Sequence, residues 1–226
     1  MSPLDNYPIG AKEHLRRAGE LYNAGGVANL LYAALEIRLG AETRQSQYVA
    51  AWDHIPKRYR DNYRLTEVGR ALEQAFTTGD KVIFITQIWD AETQLTFRFA
   101  PVSRELRRVC EQFGNYLHSP GWRRSYPAKA GEWQATLKDL VTTGLIHLNI
   151  AATSELLGPG LKTQNGDETS IAFKMEVDKD YAERIAPIMQ SGRRHTMQLQ
   201  SVDLNDLALG LRQRLAVDNP GDVSPL

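Results

Sequence analysis

The sequence predicts a mainly α-helical protein of the α+β class: a helical bundle with one inserted β-hairpin and a small αβ region at its C-terminal end. Three observations predict this class. Long stretches space their apolar residues as one face of an α-helix does. Two neighbouring runs near 81–100 are rich in β-branched and aromatic residues. After residue 160 the pattern changes to strict alternation of apolar and polar residues, so two regions are expected, 1–160 and 161–226.

Two antiparallel helices joined by a glycine turn are expected at the N-terminus. Apolar residues over 15–22 follow helical spacing, and the pair Gly25–Gly26 then ends the first helix. A second helical stripe over 27–52 stops ahead of a proline, which disfavours helix in the residue before it. The polar and basic segment 54–64 is expected to be a loop.

The middle of the chain predicts further helices around the hairpin. Helical spacing over 68–76 gives way to the two strand-like runs within 81–99, which a short turn separates. A helix is then expected over 103–118, with Ser103 as its N-cap. The stretch 132–157 is apolar on all sides in its second half, as expected for the buried central helix of a bundle.

A Gly-Pro-Gly sequence at 158–160 marks the predicted boundary between the two regions, and we interpret it as a linker. Alternating residues and short helical patterns follow it. The C-terminal region is therefore expected to hold strands at 171–177 and 195–201 and helices at 181–189 and 203–215. A disordered tail is expected at 216–226.

Composition limits the class of protein. Of 226 residues, 42% are apolar and 24% charged, which is ordinary for a chain that buries a core. Lys and Arg number 27, as do Asp and Glu, so the net charge of zero gives no overall attraction to nucleic acid or membrane. A single cysteine excludes an intramolecular disulfide, and the sequence shows neither a secretory signal nor a membrane span. We expect a cytoplasmic protein.

The helix expected over 103–118 carries the candidate site. On a helical wheel at about 100° per residue, one face collects polar side chains and the opposite face collects apolar ones. The polar face holds Arg104, Arg108, Glu111, Asn115 and His118. The apolar face, directed at the core, holds Leu106, Val109, Phe113 and Tyr116. His118 is therefore expected to lie off the core.

Positive charge is concentrated around this helix. The segment from Arg98 to Lys129 holds seven basic and two acidic residues, in a chain whose charges cancel overall. Such an excess is typical of an anion-binding surface, although a solvated helix face also explains charged residues without a further role. The arginines to which we assign anion binding are Arg104, Arg107, Arg123 and Arg124.

The opening EHLRRAGELYNAGGVANLLYAALEIRLGAET and the later GNYLHSP resemble the HEPN superfamily of bacterial and archaeal helical proteins, over roughly residues 11 to 155. The resemblance implies a HEPN-like bundle that forms a homodimer, in which paired motifs from two protomers cleave RNA without a metal or other cofactor. It also implies a toxin-like endoribonuclease, as in bacterial antiviral defence, with an operon-encoded partner protein.

The site residues follow from that resemblance. It implies that the anion is RNA, so the RNA-binding residues would be Arg104, Arg107, Arg123 and Arg124. His118 would be the general acid or base, Arg108 would stabilise charge on phosphorus, and Asn115 would orient the histidine or hold a phosphate oxygen. Active members carry an arginine four to six residues before the histidine, but positions 112–114 here hold Gln, Phe and Gly. Arg108 is about 15 Å from His118 along the axis, so the two would meet only across a two-fold axis at this face. The alternative is a catalytically inert HEPN-like module that binds nucleic acid, nucleotide or a partner protein.

The remaining candidates are interpreted as structural. His147, inside the apolar LIHLNI, is expected to be a hydrogen-bonded core histidine, and Cys110 a buried thiol. Glu36 and Arg38 are expected to form a buried polar pair or to be surface charges. The other histidines have no partners at metal-ligand spacing, so we predict no metal site.

Overall fold

A computed structural model of the protein describes residues 9–60, 62–117, 130–165, 168–176, 179–191 and 194–218. These ranges confirm the mainly α architecture with a β-hairpin between helices. They contain no helix that is both long and apolar enough to cross a membrane.

Seven α-helices and five strands form within the described ranges. The helices are α1 (Ala11–Ala24), α2 (Val27–Ala51), α3 (Leu65–Phe76), α4 (Arg104–Leu117), α5 (Ala130–Ala152), α6 (Lys179–Met189) and α7 (Leu204–Asp218). The strands are β1 (Lys81–Ile88), β2 (Gln94–Phe99), β3 (Leu161–Asn165), β4 (Glu168–Ala172) and β5 (Thr196–Asp203). A short 3₁₀ helix, Lys57–Tyr59, interrupts the loop between α2 and α3.

The predicted glycine turn joins α1 to α2. Gly25 and Gly26 have φ values of 69° and 81°, which glycine adopts without the steric cost that a Cβ would add. The two helices then pack along their length, and α2 continues to Ala51 as predicted.

The predicted central helix is confirmed, because α5 contacts α1, α2, α4 and α7. Small residues bring α2 and α5 close together: a Cβ on Gly40 would lie 2.8 Å from Leu148 Cδ2, and one on Gly144 would lie 3.0 Å from Ile37 Cγ2. The helix ends at Ala152, earlier than the predicted residue 157.

The hairpin belongs to a three-stranded antiparallel sheet in the order β2-β1-β5. Ile85 in the central strand pairs with Phe97 on one side and with Leu199 on the other. The C-terminal region therefore contributes an edge strand to the hairpin, and regions 1–160 and 161–226 share one sheet.

The Gly-Pro-Gly segment, predicted as a linker, is packed against the helical bundle. Gly158 is buried, and a Cβ there would lie 2.5 Å from Trp52 Nε1. The Trp52 indole N–H donates to the Leu157 carbonyl at 2.7 Å. Only glycine leaves room for the indole at this point.

Two details of the C-terminal region also differ from the sequence prediction. The strand predicted at 171–177 is instead β4, which begins at Glu168 and ends at Ala172. Its partner is β3, with which it pairs antiparallel. The alternation beyond it reflects packing, since Phe173 lies against Phe97 and Met175 bridges to Leu156. The first three residues of the predicted disordered tail are helical in α7, and 219–226 lie outside the described residues.

A fully buried arginine joins α2 to this region. The Arg44 guanidinium donates to the Ser154 carbonyl at 2.5 Å, to Glu176 at 2.6 Å and to the Tyr48 hydroxyl at 2.9 Å. Tyr48 in turn donates to the Ala100 carbonyl at 2.5 Å. Arg44 therefore links the end of α5 to the segment after β4.

Candidate nucleic-acid interface

Helix α4 begins where its sequence predicts and directs the predicted face to the core. The Leu106 N–H donates to the Ser103 hydroxyl at 3.1 Å, which confirms Ser103 as the N-cap. Among the predicted polar-face residues that the structure describes, all are exposed: Arg104, Arg108, Glu111 and Asn115. On the opposite face, Leu106, Val109 and Phe113 are buried and Tyr116 is half-buried.

The two exposed arginines at the start of α4 are held by carboxylates. Arg104 binds Glu73 of α3 through two hydrogen bonds, at 3.0 and 3.2 Å. Arg108 binds Glu105, one helical turn earlier, at 2.8 Å. Much of the positive charge predicted for this face is therefore already balanced.

Arg107 is not available to RNA at this surface, contrary to its predicted assignment. Its side chain is 7% exposed and pairs with Glu73. Gly69 of α3 makes the space for it, since a Cβ there would lie 2.6 Å from Arg107 Cδ. Burial by itself would raise the pKa of Glu73, but the hydrogen bond from Arg104 and the charge of Arg107 hold that pKa below its ordinary value. Arg107 thus fastens α3 to α4.

The predicted catalytic residues are only partly described. His118 lies outside the described residues, as do Arg123 and Arg124. Asn115 and Arg108 line two different cavities, which lie on different sides of α4. The structure therefore does not bring Arg108 and Asn115 into one cavity of a single chain.

Asn115 lines the larger of these two cavities, a groove of 670 Å³. We call it the arginine groove, because it is lined by Arg38 of α2, by Arg64 directly before α3 and by Arg70 of α3. Its lining residues are Arg38, Tyr63, Arg64, Leu65, Thr66, Glu67, Arg70, Cys110, Glu111, Gly114 and Asn115.

The cations of the groove are loosely held. Arg38 pairs with Glu42 at 3.0 Å and Arg64 pairs with Glu67 at 2.7 Å, both at least partly exposed. Among the described residues, Arg70 has no ion-pair partner. Exposed ion pairs contribute about 0–1 kcal/mol, so a ligand phosphate can replace the carboxylate at little cost.

Two glutamates moderate the positive charge. The hydrogen bond from Arg64 lowers the pKa of Glu67, which stays ionised. Glu111 accepts a hydrogen bond from the Thr66 hydroxyl on the opposite wall. Three arginines against two glutamates leave the lining of the groove positive.

Cys110 forms part of the wall, and its predicted structural role is confirmed by its burial. Burial raises the pKa of its thiol far above the ordinary value, so the thiolate nucleophile does not form near neutral pH.

The second cavity, of 390 Å³, lies between α4, α5 and α7. His147 lines it as the predicted hydrogen-bonded core histidine, with Nδ1 at 2.9 Å from the Ser103 hydroxyl. Burial lowers the pKa of His147, and the charge of Glu105 opposes that shift. The two arginines that line this cavity, Arg108 and Arg212, are paired with Glu105 and Asp139. The two arginines of this cavity are matched by two carboxylates, whereas the arginine groove has three arginines against two glutamates and is the better anion site.

Glu36 and Arg38 do not pair with each other. Glu36 binds His14 at 2.7 Å and Arg17 at 3.1 Å, and so joins α1 to α2. Arg38 binds Glu42 and lines the groove. The structural role predicted for Glu36 agrees with this placement.

Sequence reasoning missed Tyr63, Arg64 and Arg70 as site residues. The basic segment 54–64 was the available signal, but its position next to α4 depends on how the helices pack. Within the ranges that the structure describes, no group of three His, Cys, Asp or Glu residues is arranged to hold a metal ion. The chain matches no protein-family model, no curated protein and no solved structure.

Proposed function

We propose that the protein is a HEPN-like RNA-binding protein whose arginine groove binds the phosphates of RNA. The observation that carries this proposal is the groove itself, which gathers Arg38, Arg64 and Arg70 within 670 Å³ and leaves Arg70 without an ion pair among the described residues.

Guanidinium groups suit this ligand. An arginine presents several N–H donors in a planar fork that matches two phosphate oxygens, and such charge-assisted hydrogen bonds are strong. Asn115 adds an amide to the same wall. The site therefore has donors for more than one phosphate.

Further parts of the proposal come from the resemblance to HEPN proteins. We propose a cytoplasmic homodimer. Three exposed apolar side chains on one face of α2, those of Tyr32, Leu35 and Leu39, support a protein contact there. That face differs from the polar face of α4, which was the predicted location of the two-fold axis.

The location of bound RNA tests the main proposal. A short RNA containing 4-thiouridine is cross-linked to the protein, and the modified peptides are identified by mass spectrometry. We expect cross-links within 62–70 and 111–117, which carry most of the groove lining. Cross-links confined to 139–147 and 205–212, the walls of the second cavity, would place the RNA elsewhere and refute the proposal.

Metal-independent RNA cleavage, as in a toxin-like effector, is a second candidate function. Its support is that Asn115, three residues before His118 in sequence, lines the groove with three arginines, any of which can replace Arg108 as the cation. We expect cleavage of RNA in EDTA by the wild type, and its loss in His118→Ala with binding retained. Binding without cleavage by the wild type would identify the inert module instead.

A further inference from the structure

An exposed aromatic ring lies at the arginine groove. Tyr63 lines the groove directly before Arg64, and the residue is 71% exposed. A tyrosine ring offers a large apolar surface together with a polar hydroxyl, and a ring this exposed is open to a ligand. Its position beside three arginines indicates which class of ligand would contact it.

The backbone around this ring is fixed. The Asn62 side-chain oxygen accepts from the Arg64 N–H at 2.8 Å, and the Asn62 amide donates to Glu67 at 3.0 Å. These bonds hold the residues on both sides of Tyr63 to the first turn of α3. A ligand therefore meets a tyrosine whose neighbouring backbone is already ordered, which lowers the ordering cost on binding.

The loop that leads to Tyr63 adds further cations. Lys57, Arg58 and Arg60 are all exposed. Arg58 lies over the Tyr59 ring at 5.0 Å, and Arg60 reaches Asp53 at 3.6 Å. The loop thus provides positive charge on the chain immediately before the groove.

We propose that Tyr63 stacks on an unpaired base of single-stranded RNA whose phosphates lie in the arginine groove. Aromatic rings beside a cationic groove are how proteins bind single strands, because every base has a face that can stack. In a duplex the bases stack on one another, and their faces are not open to a side chain. This inference rests on the proposed RNA-binding function.

The test uses a fluorescent, unstructured RNA of about ten nucleotides and measures its Kd by anisotropy at low salt. Tyr63→Ala is expected to raise the Kd by about 5- to 100-fold, the range for loss of one stacked base. Tyr63→Phe keeps the ring and is expected to stay within about twofold of the wild type. Tyr181→Ala, which changes a half-buried tyrosine on α6 that lies outside both the groove and the apolar face of α2, is the control and is expected to leave the Kd unchanged.

Each failure has a distinct signature. If the wild type binds RNA and Tyr63→Ala binds equally well, the stacking inference is overturned and the RNA-binding function stands. Tighter binding to a duplex of the same sequence would also overturn the inference. If the wild type binds no RNA at low salt, the proposed function fails and the inference fails with it.

Discussion

Replacing Arg44 with alanine is expected to lower the free energy of unfolding by about 3–5 kcal/mol, the largest stability effect that we expect for one side chain. The substitution leaves a cavity in the α2 face that packs on the core. It also removes the donor to the buried Ser154 carbonyl and the partner of Glu176. A buried polar group that loses its hydrogen-bond partner is not rehydrated, so the loss of stability is large.

Urea denaturation followed by circular dichroism measures this effect. Arg16→Ala is the matched control, because Arg16 also makes two carboxylate contacts but is exposed on α1. Its expected loss is within about 1 kcal/mol. Glu176→Gln is expected to cost less than Arg44→Ala, since the Glu176 side chain is 42% exposed. A loss below about 1 kcal/mol for Arg44→Ala would contradict the structural role assigned to Arg44.

Removing the three groove cations is expected to have the largest effect on binding. In the combined variant Arg38→Gln, Arg64→Gln and Arg70→Gln, we expect RNA affinity to fall by about 100-fold or more at low salt, because hydrogen bonds to charged groups contribute about 1.5–3 kcal/mol each. The fold should persist, since two of these arginines are exposed and Arg38 is only half-buried.

The control for this variant has the same change in net charge. Arg16, Arg184 and Arg212 are exposed and lie outside the groove, so their combined change to glutamine removes three positive charges elsewhere. We expect it to weaken binding only slightly, through the general field of the protein. Equal losses in the two triple variants would show that net charge, and not the groove, accounts for the affinity.

The local features of the site could be predicted from the sequence. Apolar spacing fixed which side of α4 faces the core, so the exposure of Arg104, Arg108 and Asn115 followed from the helical period. The N-cap at Ser103 and the buried state of His147 followed from residue type and neighbours. Each of these depends on residues close together in the chain.

The features that depend on residues far apart in the chain could not be predicted from the sequence. Arg44 looks like an ordinary polar residue in a long helix, because one of its partners, Glu176, is 132 residues away. Arg107 lies beside the polar face of α4, but α3 packs there with Gly69 and Glu73 against it. The groove likewise needs α2, α3 and α4 to converge, and the pairing of β5 with β1 needs the C-terminal region to return to the hairpin.

The salt dependence of RNA binding tests the central claim, that the arginine groove binds RNA phosphates, most directly. The Kd of the single-stranded RNA is measured over a range of salt concentrations for the wild type, the groove variant and the matched control. For a single strand, the slope of log affinity against log salt changes by about 0.7 per phosphate contact, so we expect the groove variant to lose about two units of slope and the control to keep the wild-type value. A groove variant with the wild-type slope would contradict the account.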